Sequence, residues 1–433
     1  MFSVADYPSI QAAIDAAEAS SIGGAVYIPA GVYNIEETLR VSKSGIGIFG
    51  DGPESTVLLS HDPMRDAIHV ASQDGRHLHG FSLRDVCFKS ANHPRTGGAY
   101  VHLDTVQTVA MERIVMNEPF IGFHLSNTTI LDLSKFDIRS PQVDGVGILI
   151  DGDADSNDHW IHHGIIRGNP SLKSRAGVEI RNSGFSTIDS IDAYQCGTGL
   201  LLRSDSFEAP RMPGRAQVEH IWTRSCSWDT CLEDGLRIEA VGEGRVRRVR
   251  SLGDWYASNF GCGVRIKGSD FIGPDGASIL GVDFIDAHSF VNHEDGFHID
   301  HADYWTIQTC KVAGNGHPSP GQHDGVRVVS RADHFKIIDN IIGDTELFPR
   351  FCQDYGIRVE AGSTDRYRIT GNDLSCNRTG GLLDEGTGRK IVRGNIDWND
   401  GATWTEEPAP VEPAVSAAPM RQAKGRFGWP RRA

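Results

Sequence analysis

Along most of the chain, apolar and polar residues alternate in short runs rather than at helical spacing. One four-residue phrase recurs: glycine, apolar, variable, apolar. It reads GFHL from Gly122, GILI from Gly147, GVEI from Gly177, GLLL from Gly199 and GLRI from Gly235. It continues as GVRI from Gly263, GFHI from Gly296, GVRV from Gly325, GIRV from Gly356 and GLLD from Gly381, at spacings of 25, 30, 22, 36, 28, 33, 29, 31 and 25 residues. AIHV from Ala67 and YVHL from Tyr100 extend the series without glycine. A second phrase follows several of these: DYWTIQTCKV from Asp303, DHFKIIDNII from Asp333 and DRYRITGNDL from Asp365. Alternation with period two, bounded by glycine and Asx turns, predicts short strands. Their irregular but sustained recurrence predicts a solenoid of strands. The segments are too short and too β-branched for helical repeats. They lack a leucine-rich consensus and vary too much in spacing for a propeller.

Each repeat therefore reads as one turn of a parallel β-helix, in which glycine opens the strand after a tight turn. Two apolar residues point inward and the residue between them points out. Like residues then stack coil upon coil: Trp305, Phe335 and Tyr367 as an aromatic stack, Asn340 and Asn372 as a turn-capping ladder. Both ladders read as structural. SIQAAIDAAEAS (Ser9–Ser20) places Ile10, Ala13, Ile14 and Ala17 at helical spacing. Residues 1–22 thus form a capping helix over an otherwise open strand edge, and residues 23–400 form the solenoid. Residues 401–433 read as a Pro/Ala linker and a basic tail with Phe427 and Trp429, which suits either docking or disorder.

Composition narrows the class. The 433 residues carry 42 Lys+Arg against 57 Asp+Glu, a net charge of −15, so no pervasive basic field would collect nucleic acid. No apolar run is long enough for a membrane span. The first residues lack the basic start and apolar stretch of a secretory signal, so no signal peptide is expected. Eight scattered cysteines in a chain this long make a poor disulfide framework. His159, His162 and His163 are near one another, but no CxxC or HExxH supports zinc, and no metal site is expected.

The segment IQAAIDAAEASSIGGAVYIPAGVYNIEETLRVSKSGIGIFGDGPESTVLL (Ile10–Leu59) resembles the start of the pectate-lyase-like, right-handed parallel β-helix superfamily. The parts that carry the resemblance are the helix, GGAVYIPAGVY, and the strand pair ending in GIFGDGPESTVL. Gly31 would allow a bend between strands, and Gly50 and Gly52 a tight turn. The segment GDGVTDDT that commonly precedes this helix is absent. The resemblance implies a right-handed β-helix of about a dozen coils and the phage tailspike or polysaccharide depolymerase branch, whose members are often trimers; with no signal peptide, it implies a protein that is virion-associated, or cytoplasmic before release. A homotrimer and a polysaccharide substrate are thus implied. A glycan-binding module without catalysis, or a bacterial carbohydrate enzyme unconnected with a virion, would share the same features.

The outward residues of the repeated strands are His69, His102, His124, Leu149, Glu179, Leu201, Arg237, Arg265, His298, Arg327 and Arg358. The last five would form a basic column suited to an acidic glycan. The alternative is alternating surface ion pairs. The next outward position supplies Glu239, Lys267, Asp300 and Glu360. Seven of the 18 His fall between His288 and His334, interleaved with acids. LEDG, HEDG and QHDG place Asp234, Asp295 and Asp324 before glycine on stacked coils. Aspartate before glycine is ordinary turn chemistry, but stacked acids repel and separate their proton affinities.

Glycoside hydrolysis needs an acid and a carboxylate, for which Asp295 with Asp324 is the first pair and Asp300 with Glu239 the second. A lyase instead needs a base beside a uronate, with Arg265, Arg327 or His298 serving. It would use Ca²⁺ held by carboxylates such as Asp300; otherwise no cofactor is expected. Arg237, Arg265, Lys267, Arg327 and Arg358 are the expected substrate cations. GVRIKG (Gly263–Gly268) is similar to a substrate-binding signature of polygalacturonases, whose Asn-Thr-Asp and Gly-His-Gly motifs are absent. Trp228, Trp255, Tyr256 and Phe260, in polar surroundings, are expected to stack on sugar faces, with core packing the alternative.

Overall fold

The computed structural model describes residues 1–21, 23–91, 94–152, 156–205, 217–273, 276–343, 351–362 and 364–398. The basic tail and its linker lie outside the described residues. The N-terminal helix runs Ile10–Ala19; the Ser9 hydroxyl caps it by accepting the Ala12 N–H at 3.1 Å. Its buried residues are the expected Ile10, Ala13, Ile14 and Ala17. Glu18 reaches the first coil, where its carboxylate accepts the Ser42 hydroxyl at 2.9 Å. No described helix is long and apolar enough to cross a membrane.

The rest is a right-handed parallel β-helix. The repeated glycine phrases form a 13-stranded sheet running from Leu39–Val41 to Gly380–Asp384. The remaining faces of each coil join a second, 25-stranded sheet. A representative coil passes from Phe297–Asp300 in the first sheet to Thr306–Gln308, then Lys311–Ala313, before Val326–Val328 returns to the first sheet. In the two large sheets strands pair in parallel with their counterparts one coil on, so apolar residues stack into one continuous core.

The recurring glycines owe their place to close approach. Gly122, Gly147, Gly177 and Gly199 are not among the glycines with positive φ. A Cβ built on Gly147 would lie 2.6 Å from the carbonyl oxygen of Gly177, and one on Gly199 2.6 Å from that of Gly235. The same clash recurs at Gly296 and Gly325. At these rungs a residue without Cβ lets successive coils stack closely, whereas Ala67 and Tyr100 hold the same corner in earlier coils. Gly147→Ala is expected to cost about 1–3 kcal/mol by this backbone overpacking, readable as a lower midpoint in denaturant. The turn glycines differ: Gly52 has φ +127, whereas at Gly50 a Cβ would meet the Asp85 carbonyl at 2.4 Å.

Inside, Trp305, Phe335 and Tyr367 stack with centroids 4.4 and 4.6 Å apart and planes within 6°. Asn372 Oδ1 accepts the Asn340 N–H and Nδ2–H at 3.0 and 2.8 Å. A second ladder at another corner joins Asn259, Asn292, Asn315, Gln353 and Asn377. Cys196, Cys226, Cys231, Cys262 and Cys310 are buried thiols.

The three clustered histidines of the middle coils diverge. His159 points inward, with Nε2 toward the Thr128 carbonyl at 2.8 Å and Nδ1 toward the Ser186 hydroxyl at 2.9 Å. His162 instead meets Asp132 and His163. Burial lowers the His159 pKa from 6.5 to about 4. Below pH 6.5 the unfolded chain binds a proton that the folded chain refuses. Stability present above that pH is therefore lost as pH falls toward 4, by about 3 kcal/mol. Thermal melts from pH 7 to 4 should show this loss, with a shallower acid slope in His159→Phe.

Candidate active site

In the 13-stranded sheet the predicted outward column is one continuous register. Arg40 pairs with His69, His69 with His102, and His102 with His124; the series passes Leu149, Glu179 and Leu201 to Arg237. It continues through Arg265, His298, Arg327 and Arg358. The side chains needed for a groove therefore stand rung over rung, about 4.8 Å apart.

The cations are not a bare stripe. Arg237 Nε donates to Asp234 Oδ2 at 2.7 Å, and Arg265 Nε lies 3.1 Å from the same atom. Arg265 Nη2 also meets Glu294. Arg327 binds Glu360, and Arg358 binds Asp324 and Asp354. Ion pairs thus lace the column, and each arginine is held and aimed by its carboxylate partners.

The aspartates before glycine cap the next coil. Asp234 Oδ1 accepts the Cys262 N–H at 2.8 Å, Asp295 Oδ1 the Asp324 N–H at 2.8 Å, and Asp324 Oδ1 the Tyr355 N–H at 3.0 Å. Cys262 occupies the equivalent position between Asp234 and Asp295, so the acid ladder is interrupted there. Asp295 Oδ2 lies 2.8 Å from His298 Nδ1, and its Oδ1 3.7 Å from His323 Nδ1. The Asp295 and Asp324 side chains are 4% and 1% exposed, whereas those of His298 and His323 are 23% and 25% exposed. The imidazoles therefore face the groove, and the carboxylates lie behind them.

The proton affinities of the two acids diverge. Burial works against the Asp295 charge, but hydrogen bonds from His298 and the Asp324 N–H, with the His323 ring close by, outweigh it and hold the carboxyl well below the usual range. Burial and the Asp295 charge push Asp324 up to about 6, against the Arg358 bond. The Asp295 carboxylate, 3.7 Å away, raises the His323 pKa despite the burial of the ring. With Nδ1 fixed on a buried anion, His298 keeps Nε2 without a protein partner among the described residues. That is the arrangement of an oriented general base.

The expected acid pair is thus corrected in role. Asp295 and Asp324 are brought together, yet both sit behind the groove wall with their oxygens occupied. Asp300 and Glu239 lie in one column on either side of Lys267. They are two rungs apart, with Asp300 turned to His301 Nδ1 at 2.6 Å. Trp228 and Tyr256 are fully buried and cannot stack on a sugar. Trp255 is half-exposed but belongs to the other sheet, stacked on His288. Exposed Phe260 lies at the corner leading into the first sheet, 4.4 Å from the His293 ring. Sequence reasoning passed over His323 and Glu294 as site residues, although both stand in the HEDG and QHDG phrases. Cys262, Asp295 and His298 also place three ligand-type atoms within 4.8 Å of one another.

Residues 4–207 match the family model "Rhamnogalacturonase A/epimerase, pectate lyase-like". Over those residues the chain is pectate-lyase-like, within a parallel β-helix that runs on through the later described coils. Among solved structures, this chain is similar to the A-module of mannuronan C-5 epimerase AlgE6 from Azotobacter vinelandii. The TM-score is 0.61 at 16% identity, covering 92% of this chain and 99% of that one. It is also similar to tailspike protein 3 of bacteriophage CBA120, with TM-score 0.59, 12% identity, and 96% and 65% of the respective chains covered. At these identities the likeness is one of fold. No curated protein matches the chain by sequence.

Proposed function

We propose that this chain is a polysaccharide-active enzyme that removes the proton beside the carboxylate of an acidic sugar, with His298 as the base. The observation that carries the reading is the His298 imidazole, fixed through Nδ1 on buried Asp295 at 2.8 Å and in register between Arg265 and Arg327. The guanidinium groups would hold the uronate carboxylate and stabilise charge as the C–H bond breaks. Electrons from that bond form a C=C bond as the glycosidic C–O bond breaks. The departing oxygen takes its proton from His323, which Asp295 keeps cationic to higher pH.

This is lyase chemistry. Hydrolysis by Asp295 and Asp324 is disfavoured by their burial and by the N–H and guanidinium donors on their oxygens. Similarity to an epimerase of mannuronan and to a tailspike supports a polymer substrate, and a phage depolymerase is the setting we propose. Digestion of an acidic glycan panel tests this: ultraviolet absorbance of unsaturated uronate should rise with the reducing ends. Reducing ends without that absorbance would mean a hydrolase, and binding without either would mean an adhesion module.

A further inference from the structure

On the other sheet, far along the C-terminal coils, the strands Lys336–Ile338 and Tyr367–Thr370 set two cations in register, Lys336 opposite Arg368. Both are exposed, and neither has an ion-pair partner among the described residues. Directly opposed like charges destabilise a sheet pair. Where the first sheet opposes arginines, acids accompany them: Asp234 stands between Arg237 and Arg265, and Arg327 and Arg358 have Glu360 and Asp324. The rung neighbours of Lys336 and Arg368 are Thr306 and Ile391, so no acid lies beside them in the column. Asp283 is one rung beyond Thr306.

A cleft of about 500 Å³ opens over these residues, walled by Tyr304, His334, Arg366 and Arg389. Tyr304 is 55% exposed and stacks on the His334 ring at 4.3 Å with planes within 8°. Arg366 Nη1 lies 2.7 Å from His334 Nε2. The adjoining acids are turned away. Asp303 and Asp333 accept backbone N–H groups of the next coil, and Asp365 is taken by Arg366 and Arg389. A flat aromatic pair beside two uncompensated cations, in a chain of net charge −15, is a built receptor for an anionic ring-bearing polymer.

We propose that this cleft is a second glycan site, binding an anionic polysaccharide chain at a distance from the His298 groove and holding the polymer between turnovers. The choice of ligand rests on the acidic-glycan reading above; the site itself rests on the charge pattern. Affinity electrophoresis in gels containing polygalacturonate, alginate or heparin tests it, using the full chain. At least one polymer should retard the wild-type protein, less so as salt rises. Lys336→Glu/Arg368→Glu should weaken that binding about tenfold or more, and Lys336→Gln/Arg368→Gln should weaken it less. His298→Gln should still be retarded, so that loss of turnover and loss of this site are read separately. In the charge-reversed variant, turnover of short oligosaccharides should be unchanged while turnover of polymer falls. Retardation that survives charge reversal, absent retardation of wild type by all three polymers, or equal retardation by duplex DNA through the same two residues would overturn the proposal.

Discussion

His298→Gln is expected to lower kcat on the polymer by about a thousandfold, the range for losing a positioned acid–base group, while leaving the fold and the affinity for glycan in place. The side chain is partly exposed and makes one protein hydrogen bond, to Asp295. A glutamine amide can still donate there, so the coil has little reason to rearrange. Asp295→Asn gives a second readout, because Asp295 is a positioning residue: it touches the imidazoles and not the groove. Loss of its charge should lower kcat by about a hundredfold with KM little changed. It should also shift the pH profile. Asp295 raises the His323 pKa by its nearby carboxylate, and a group acting as an acid works only below its own pKa. The alkaline limb of the wild-type profile should therefore lie above that of an ordinary imidazole and move to lower pH in Asp295→Asn. Unchanged turnover in His298→Gln would remove the proposed chemistry. An unmoved alkaline limb in Asp295→Asn would remove His323 from it.

The column that carries this site was legible in sequence because two independent periodicities define it. Strand alternation fixes which residue of each GhxhX phrase points out, and the glycine fixes the register between coils. Arg265, His298 and Arg327 could therefore be aligned without a structure. What alternation does not reach is the corner before each glycine. There the side-chain direction depends on how the turn enters the strand, so the shared grip of Asp295 on His298 and His323 was hidden, as was the intrusion of Cys262. Trp228 and Tyr256 were misplaced for a different reason. The polar letters around them suggested a loop, yet each lies in a three-residue strand, Ser227–Asp229 and Trp255–Ala257. Alternation there sends Trp228 and Tyr256 in and Trp255 out. The second asparagine ladder escaped because its members are 33, 23, 38 and 24 residues apart. Loops of unequal length break the period that revealed Asn340 and Asn372.

That hidden ladder predicts the largest loss of stability. Asn292 is fully buried. Its Oδ1 accepts the Asn259 N–H at 3.0 Å and the Asn259 Nδ2–H at 2.9 Å, and its Nδ2 donates to the Tyr256 carbonyl at 3.0 Å and to Asn315 Oδ1 at 2.8 Å. Asn292→Ala leaves a buried backbone N–H, a carbonyl and two amide groups short of partners, at about 1–3 kcal/mol for each group left unsatisfied. A total on the order of 5 kcal/mol is expected. Asn292→Asp should be worse, because a carboxylate oxygen would replace the donor that faces two acceptors, and a buried charge would gain no cation. A solenoid can lose one stretch of coils before the rest, so the decisive measurement is local. Amide hydrogen exchange should rise across residues 256–315 in Asn292→Ala while coils near Ile148 keep their protection. The same corner leads through His293 and Glu294 to Asp295. Its loosening should therefore reduce turnover as well, and adding a tight-binding glycan should partly restore protection. Protection that remains at wild-type level in Asn292→Ala would mean that backbone pairing and the apolar core hold this corner without the ladder.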